Sequence, residues 1–170
     1  MLTIAAGCGE KEPRADDTPA TPTLPASVSP STDSAAAGAQ AAVAAYRGMW
    51  DAFVEASNNG VADPPALAKH ASGSALEVLN RGLAANRAQQ LASRGQPVMN
   101  PKLTSIGPIA APTSAMIADC VDSTNWLLYK QNGQPANGDP GGRRKVTATV
   151  AKSGGTWKVT GFAAREVGTC

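Results

Sequence analysis

The large apolar residues of this chain change their spacing once, near Gln96-Pro97, and that change limits the fold more than any other feature. Before it, apolar residues recur every three or four positions; after it, they alternate. A helical period followed by a strand period, in one stretch of domain size, predicts helices packed on an antiparallel sheet, an α+β class.

Within the first part, Val43, Tyr46, Trp50, Phe53 and Val54 share one face of a helix expected over Gln40–Ser57, and Asn58-Asn59-Gly60 ends it. Asp63-Pro64 reads as the start of a short helix running to about His70, an N-cap followed by proline. A third helix is expected over Ser74–Arg94, with Leu76, Leu79, Leu83 and Leu91 inward and Gly95 as its stop. Gly82 inside it costs roughly 1 kcal/mol relative to alanine. In the second part, strands are expected at Lys102–Ile106, Ala115–Asp122, Trp126–Tyr129, Arg144–Lys152 and Thr156–Ala163. Ser153-Gly154-Gly155 is a hairpin turn, and Gly161 marks a bulge. On the second strand Ile117, Asp119 and Val121 fall on one face, and Met116, Ala118 and Cys120 on the other. The strands are expected to form one meandering sheet.

Ahead of the patterned region the chain is of another kind. Residues 9–38 carry Pro13, Pro19, Pro22, Pro25 and Pro30, and Leu24 and Val28 are their large aliphatics. Such a composition does not offset its ordering entropy by burial, so a disordered tether is expected there, with the folded domain over 39–170. Ahead of the tether, Ala5-Ala6-Gly7-Cys8 has the small residues and cysteine that end a lipoprotein signal. Met1-Leu2-Thr3-Ile4 supplies the tail of an apolar segment and no basic residue. The expected reading of 1–8 is a truncated lipoprotein signal with the natural start codon upstream of Met1. Cys8 would then be the lipid attachment point, and the domain would sit on the outer face of the cell membrane.

The charge divides along the same boundary. Residues 9–38 hold two basic and five acidic side chains; residues 39–170 hold thirteen basic and eight acidic. That excess is too small for a nucleic-acid partner, and Arg143-Arg144-Lys145 reads as a solvated strand start. No run of about 18 apolar residues is present.

With Cys8 lipidated, Cys120 and Cys170 remain, and in an exported chain they most simply pair. A redox role lacks a Cys-x-x-Cys motif, and a metal site lacks ligands, since the chain holds a single histidine. No cofactor or metal is expected.

The order of elements, closing on Thr156-Trp157-Lys158-Val159, resembles the nuclear transport factor 2-like superfamily, the cone fold. Asp119-Cys120-Val121-Asp122, Trp126, the Gly154–Val159 hairpin and the terminal Val167-Gly168-Thr169-Cys170 are similar to a group of secreted actinobacterial lipoproteins. The resemblance spans about residues 40–170. It implies a curved sheet around a helix, with a conical cavity between them. Ketosteroid isomerase, polyketide cyclases and scytalone dehydratase share that superfamily with many non-catalytic modules, so the fold leaves the activity open.

Two functions follow as expectations. The first is a non-catalytic envelope module that holds a small apolar ligand, with Tyr46, Trp50 and Phe53 lining its cavity, or docks an envelope membrane protein. The alternative is a small cone-fold enzyme of isomerase, dehydratase or cyclase type, using His70 or Asp119 as general base. Each of these residues also has a plainer reading: a helix-end histidine, a paired aspartate, a packed aromatic core.

Overall fold

A computed structural model describes residues 31–136, 138 and 140–170. The expected lipoprotein signal, Cys8 and the expected tether up to residue 30 lie outside the described residues. Three helices come first: α1 (Ser31–Asn58), α2 (Leu67–His70) and α3 (Gly73–Ala88). Six strands follow: β1 (Leu91–Gly95), β2 (Lys102–Gly107), β3 (Ser114–Asp122), β4 (Trp126–Lys130), β5 (Arg143–Ser153) and β6 (Thr156–Ala164). β2-β3-β5-β6 form one antiparallel sheet in that order, and β1 and β4 pair separately. α1 packs on β1, β2, β3, β5 and β6, and α3 on β6 and β1. The class is α+β, helices against a curved antiparallel sheet in a cone-like arrangement.

α1 starts at Ser31, ahead of the expected Gln40, so residues 31–38 belong to the helix and not to the tether. The run Ala35-Ala36-Ala37 has the highest helix propensity available, and Asp33 in the first turn complements the helix dipole. Gly38 lets this end of α1 reach the β2–β3 loop; a Cβ there would lie 2.9 Å from Pro112 Cβ. At 28 residues, α1 is about 42 Å long.

The core forms where the helical and strand faces meet. Tyr46, Met49 and Trp50 from α1, Leu79 and Leu83 from α3, and Ile117, Val146, Val150 and Val159 from the sheet are all buried. β3 alternates as its sequence expects, with Ala115, Ile117, Asp119 and Val121 inward. Thr149 pairs with Gly161 and Val150 with Val159, which leaves Thr160 as an extra residue on β6. That bulge lies beside Gly161, and a second irregularity falls between Leu103 and Ser105 on β2. Bulges of this kind bend and twist strands, here around α1.

Three local expectations change. The third helix stops at Ala88 rather than running to Arg94, because Gln90 takes a left-handed conformation (φ 57°) and Leu91–Gly95 leaves as β1. β4 leaves the meander to pair with β1, Ser93 opposite Leu128 and Gly95 opposite Trp126. Asp63 does not open a helix. It is left-handed (φ 52°), and its Oδ1 accepts a 2.6 Å hydrogen bond from Asn80 Nδ2 of α3, while α2 starts four residues later at Leu67.

Cys120 on β3 is disulfide-bonded to the terminal Cys170, with the two Cα atoms 6.0 Å apart. The tail between β6 and this bridge follows β5. Arg165 N donates to Lys145 O, Gly168 N to Arg143 O, and Lys145 N to Thr169 Oγ1.

Candidate functional site

At the end of the sheet where β3 and β6 finish and β5 begins, the C-terminal turns of α1 and α3 stand apart from the strands. The gap is a cavity of about 280 Å³. β1 and β4 close its side. Asn58 holds this junction: its Nδ2 donates to Gly95 O at 2.9 Å, and its Oδ1 accepts from Trp126 Nε1 at 3.2 Å. The tip of α1 is thereby tied to both short strands.

Four aromatic rings form one part of the wall. Trp50 is the hub. Its ring stands edge to face with Phe53 (centroids 6.0 Å apart), Trp126 (6.1 Å) and Phe162 (5.7 Å), and Phe53 meets Trp126 at 5.9 Å. Edge-to-face contacts of this kind each contribute about 0.5–1.5 kcal/mol beyond burial, so the wall is rigid. Leu79, Val121, Leu127 and Leu128 complete the apolar lining. Val78, 44% exposed, marks the rim on α3.

Polar groups on the wall are few. Ser57, in the last turn of α1, and Ser93, in the middle of β1, are both buried, with their Oγ atoms 2.6 Å apart. Ser123 donates its hydroxyl to Gly142 O at 3.1 Å. Asn86 and Arg144 complete the set, and Arg144 is the one ionisable side chain among the described lining residues. Among the described residues the wall therefore offers contact area, hydroxyl groups and a positive charge, and no His, Asp or Glu side chain.

The sequence-derived candidates separate in space. Trp50 and Phe53 line the cavity. Tyr46 does not: its phenol turns into the core and donates to Asp119 Oδ2 at 3.1 Å. The hydroxyl is drawn to a buried carboxylate, whose Oδ1 also accepts from Asn100 N at 2.9 Å. Burial, then the neighbouring Asp119 charge, push the Tyr46 phenol well above its ordinary range. The indole N–H of Trp50 acts in the other direction on Tyr46, although it closes no hydrogen bond of ordinary geometry.

Asp119 thus lies under α1 with both oxygens occupied, away from the cavity wall. His70, at the end of α2, is half-buried and sits against α1 at Gly48, where a Cβ would lie 2.6 Å from its Cε1 and Nδ1. The two proposed bases are therefore neither together nor on the cavity. Among the described residues, no group of three His, Cys, Asp or Glu side chains is arranged to hold a metal ion.

Sequence reading missed Ser57, Ser93, Trp126, Leu127, Leu128 and Phe162 as wall residues. Ser93 was hidden by the expected extension of the third helix. The leucines and Trp126 were hidden because β4 leaves the main sheet. Phe162 carried a signal: it lies beyond the Gly161 bulge, where the inward face of β6 changes parity.

Comparisons with known proteins add the fold. No protein-family profile matches the chain, and no curated protein matches it. Among solved structures, it is similar to the crystal structure of the intermembrane space region of the chloroplast protein ARC6. The TM-score is 0.50 at 14% sequence identity, over 75% of this chain and 96% of that one.

Proposed function

We propose that this chain is a lipid-anchored, extracytoplasmic binding module of the cell envelope, of the cone-fold kind found in secreted actinobacterial lipoproteins. Its domain holds a small apolar ligand in the cavity between α1, α3 and the sheet. One observation carries the reading: among the described residues, a space of about 280 Å³ has four mutually packed aromatic rings on its wall and an exposed apolar rim, and no His, Asp or Glu side chain borders it. Ligand cavities are mostly apolar, with a few placed polar groups, and this volume sits at the small end of their range of roughly 300–1,000 Å³. The disulfide supports an oxidising compartment. The Ala5–Cys8 motif supports an anchor, which attaches the domain to the membrane through Cys8. The isomerase-type alternative asks for His70 or Asp119 at the ligand, and each is engaged elsewhere.

The test is a titration with N-phenyl-1-naphthylamine, a neutral probe that fluoresces in apolar surroundings. Saturable one-to-one binding is expected, and Val78→Trp at the rim should block it without disturbing the core. Binding that is unsaturable, or indifferent to Val78→Trp, would contradict the cavity reading. The anchor is tested separately, by a mass spectrum of the protein from the membrane fraction. A Cys8 without diacylglycerol would remove that part.

A further inference from the structure

The hydrogen count at the Ser57–Ser93 pair reaches beyond an apolar fit. Each hydroxyl carries one hydrogen. The 2.6 Å contact between the two oxygens uses one of them. The second hydrogen has no acceptor among the described residues, although Ser57 is 3% exposed and Ser93 4%. A buried donor without an acceptor is costly, and native structures rarely keep one. Both serines border the same open space, the aromatic cavity.

From this donor we infer that the cavity binds a small, neutral, ring-bearing molecule whose carbonyl-type oxygen accepts a hydrogen bond from the Ser57–Ser93 hydroxyl pair. The inference rests on the cavity being a binding site, and it names the ligand class. A pure hydrocarbon would fill the space but strand the donor. An ionised head group would be stripped of water against indole and phenyl edges, at high cost. Arg144 borders the same space and already takes part in an interaction of its own. A neutral acceptor oxygen satisfies the hydroxyl, and a flat ring system suits edge-to-face walls.

Two isosteric probes separate these cases. 2-Acetylnaphthalene carries a carbonyl oxygen where 2-isopropenylnaphthalene carries a methylene. Each is titrated into the ¹⁵N-labelled full chain, and the indole N–H signals are followed. Trp50 and Trp126 border the cavity and Trp157 does not. Both probes should move the Trp50 and Trp126 signals and leave Trp157 in place. In Ser57→Ala/Ser93→Ala, the ketone-to-alkene affinity ratio should fall roughly two- to tenfold, the loss of one hydrogen bond. An unchanged ratio would overturn the serine assignment while leaving the cavity reading intact. Signals moved by neither probe would remove the cavity reading, and this inference with it. Replacing both partners of a buried polar pair by apolar groups is close to neutral for folding. A second readout needs no variant: the carbonyl stretch of ¹³C-labelled ketone bound to the unaltered protein should lie below its value in hexane. An unshifted stretch would contradict the hydrogen bond.

Discussion

Tyr46 and Asp119 are separated by 73 positions in the chain and joined by a 3.1 Å hydrogen bond in the core. The bond fixes α1 on the inner face of β3 with a directional contact that apolar packing lacks. Tyr46→Phe removes the donor and leaves Asp119 Oδ2 buried without it. A loss of about 1–3 kcal/mol is expected near neutral pH, measured by urea unfolding. The pH dependence has a definite sign. The folded state holds the phenol above its ordinary value of 10.0, so the bond's contribution is full below that pH and is lost as pH rises past it. The curves of the two proteins should therefore converge in strong alkali, and a constant gap would contradict the bond.

Gly48 and His70 form a second fixed contact. Gly48→Ala should destabilise the protein, because its Cβ would fall 2.6 Å from two atoms of the imidazole. In a His70→Ala background the same change should stabilise by up to about 1 kcal/mol, the helix propensity of alanine over glycine. Thermal unfolding of the four proteins measures this coupling. Additive effects would show that the ring moves aside freely.

Reduction of Cys120–Cys170 releases a loop with a sequence separation of 50 residues. The chain-entropy account expects a loss of about 4 kcal/mol, an upper value. Cys120→Ser/Cys170→Ser should reproduce the melting temperature of the reduced protein. In the native, unreduced protein neither position should react with a maleimide, and reaction at both would place the domain in a reducing compartment.

Gly95 lies where α1, β1 and β4 meet, at φ 85°, and a Cβ there would collide with the Asn125 carbonyl. Gly95→Ala should cost roughly 1–3 kcal/mol from backbone strain alone, and more from the collision. Because Trp126 pairs with Gly95 across the two strands, a change in indole fluorescence should accompany the loss. A fully stable variant with unaltered fluorescence would show that this junction does not hold the cavity wall.

The α+β class was legible because two periods leave different marks on a sequence, and β3, β5 and β6 are long enough to show theirs. The inward positions of Ile117, Asp119, Val121, Trp157 and Val159 follow from alternation alone. β1 was not legible. Five residues with Leu91 at helical spacing continue the pattern of α3, and the turn that separates them rests on Gln90 in a left-handed conformation that composition does not announce. Once β1 is missed, its partner β4 is assigned to the wrong sheet. Both supply the cavity wall, so the site was harder to read than the fold. Trp50 and Phe53 were found because large aromatics on a helix face must be buried somewhere. Tyr46 shares that face, and the Asp119 carboxylate, far away in sequence, decides which way it turns.

The account stands on an apolar ligand space walled on one side by Trp50, Phe53, Trp126 and Phe162. A crystal pressurised with xenon tests it directly, since apolar cavities take up the gas and polar ones hold water. Xenon density in the cavity against those four rings, and absent when Val121→Phe fills the space, is the expected result. A chain of ordered waters there, with no xenon, would contradict it.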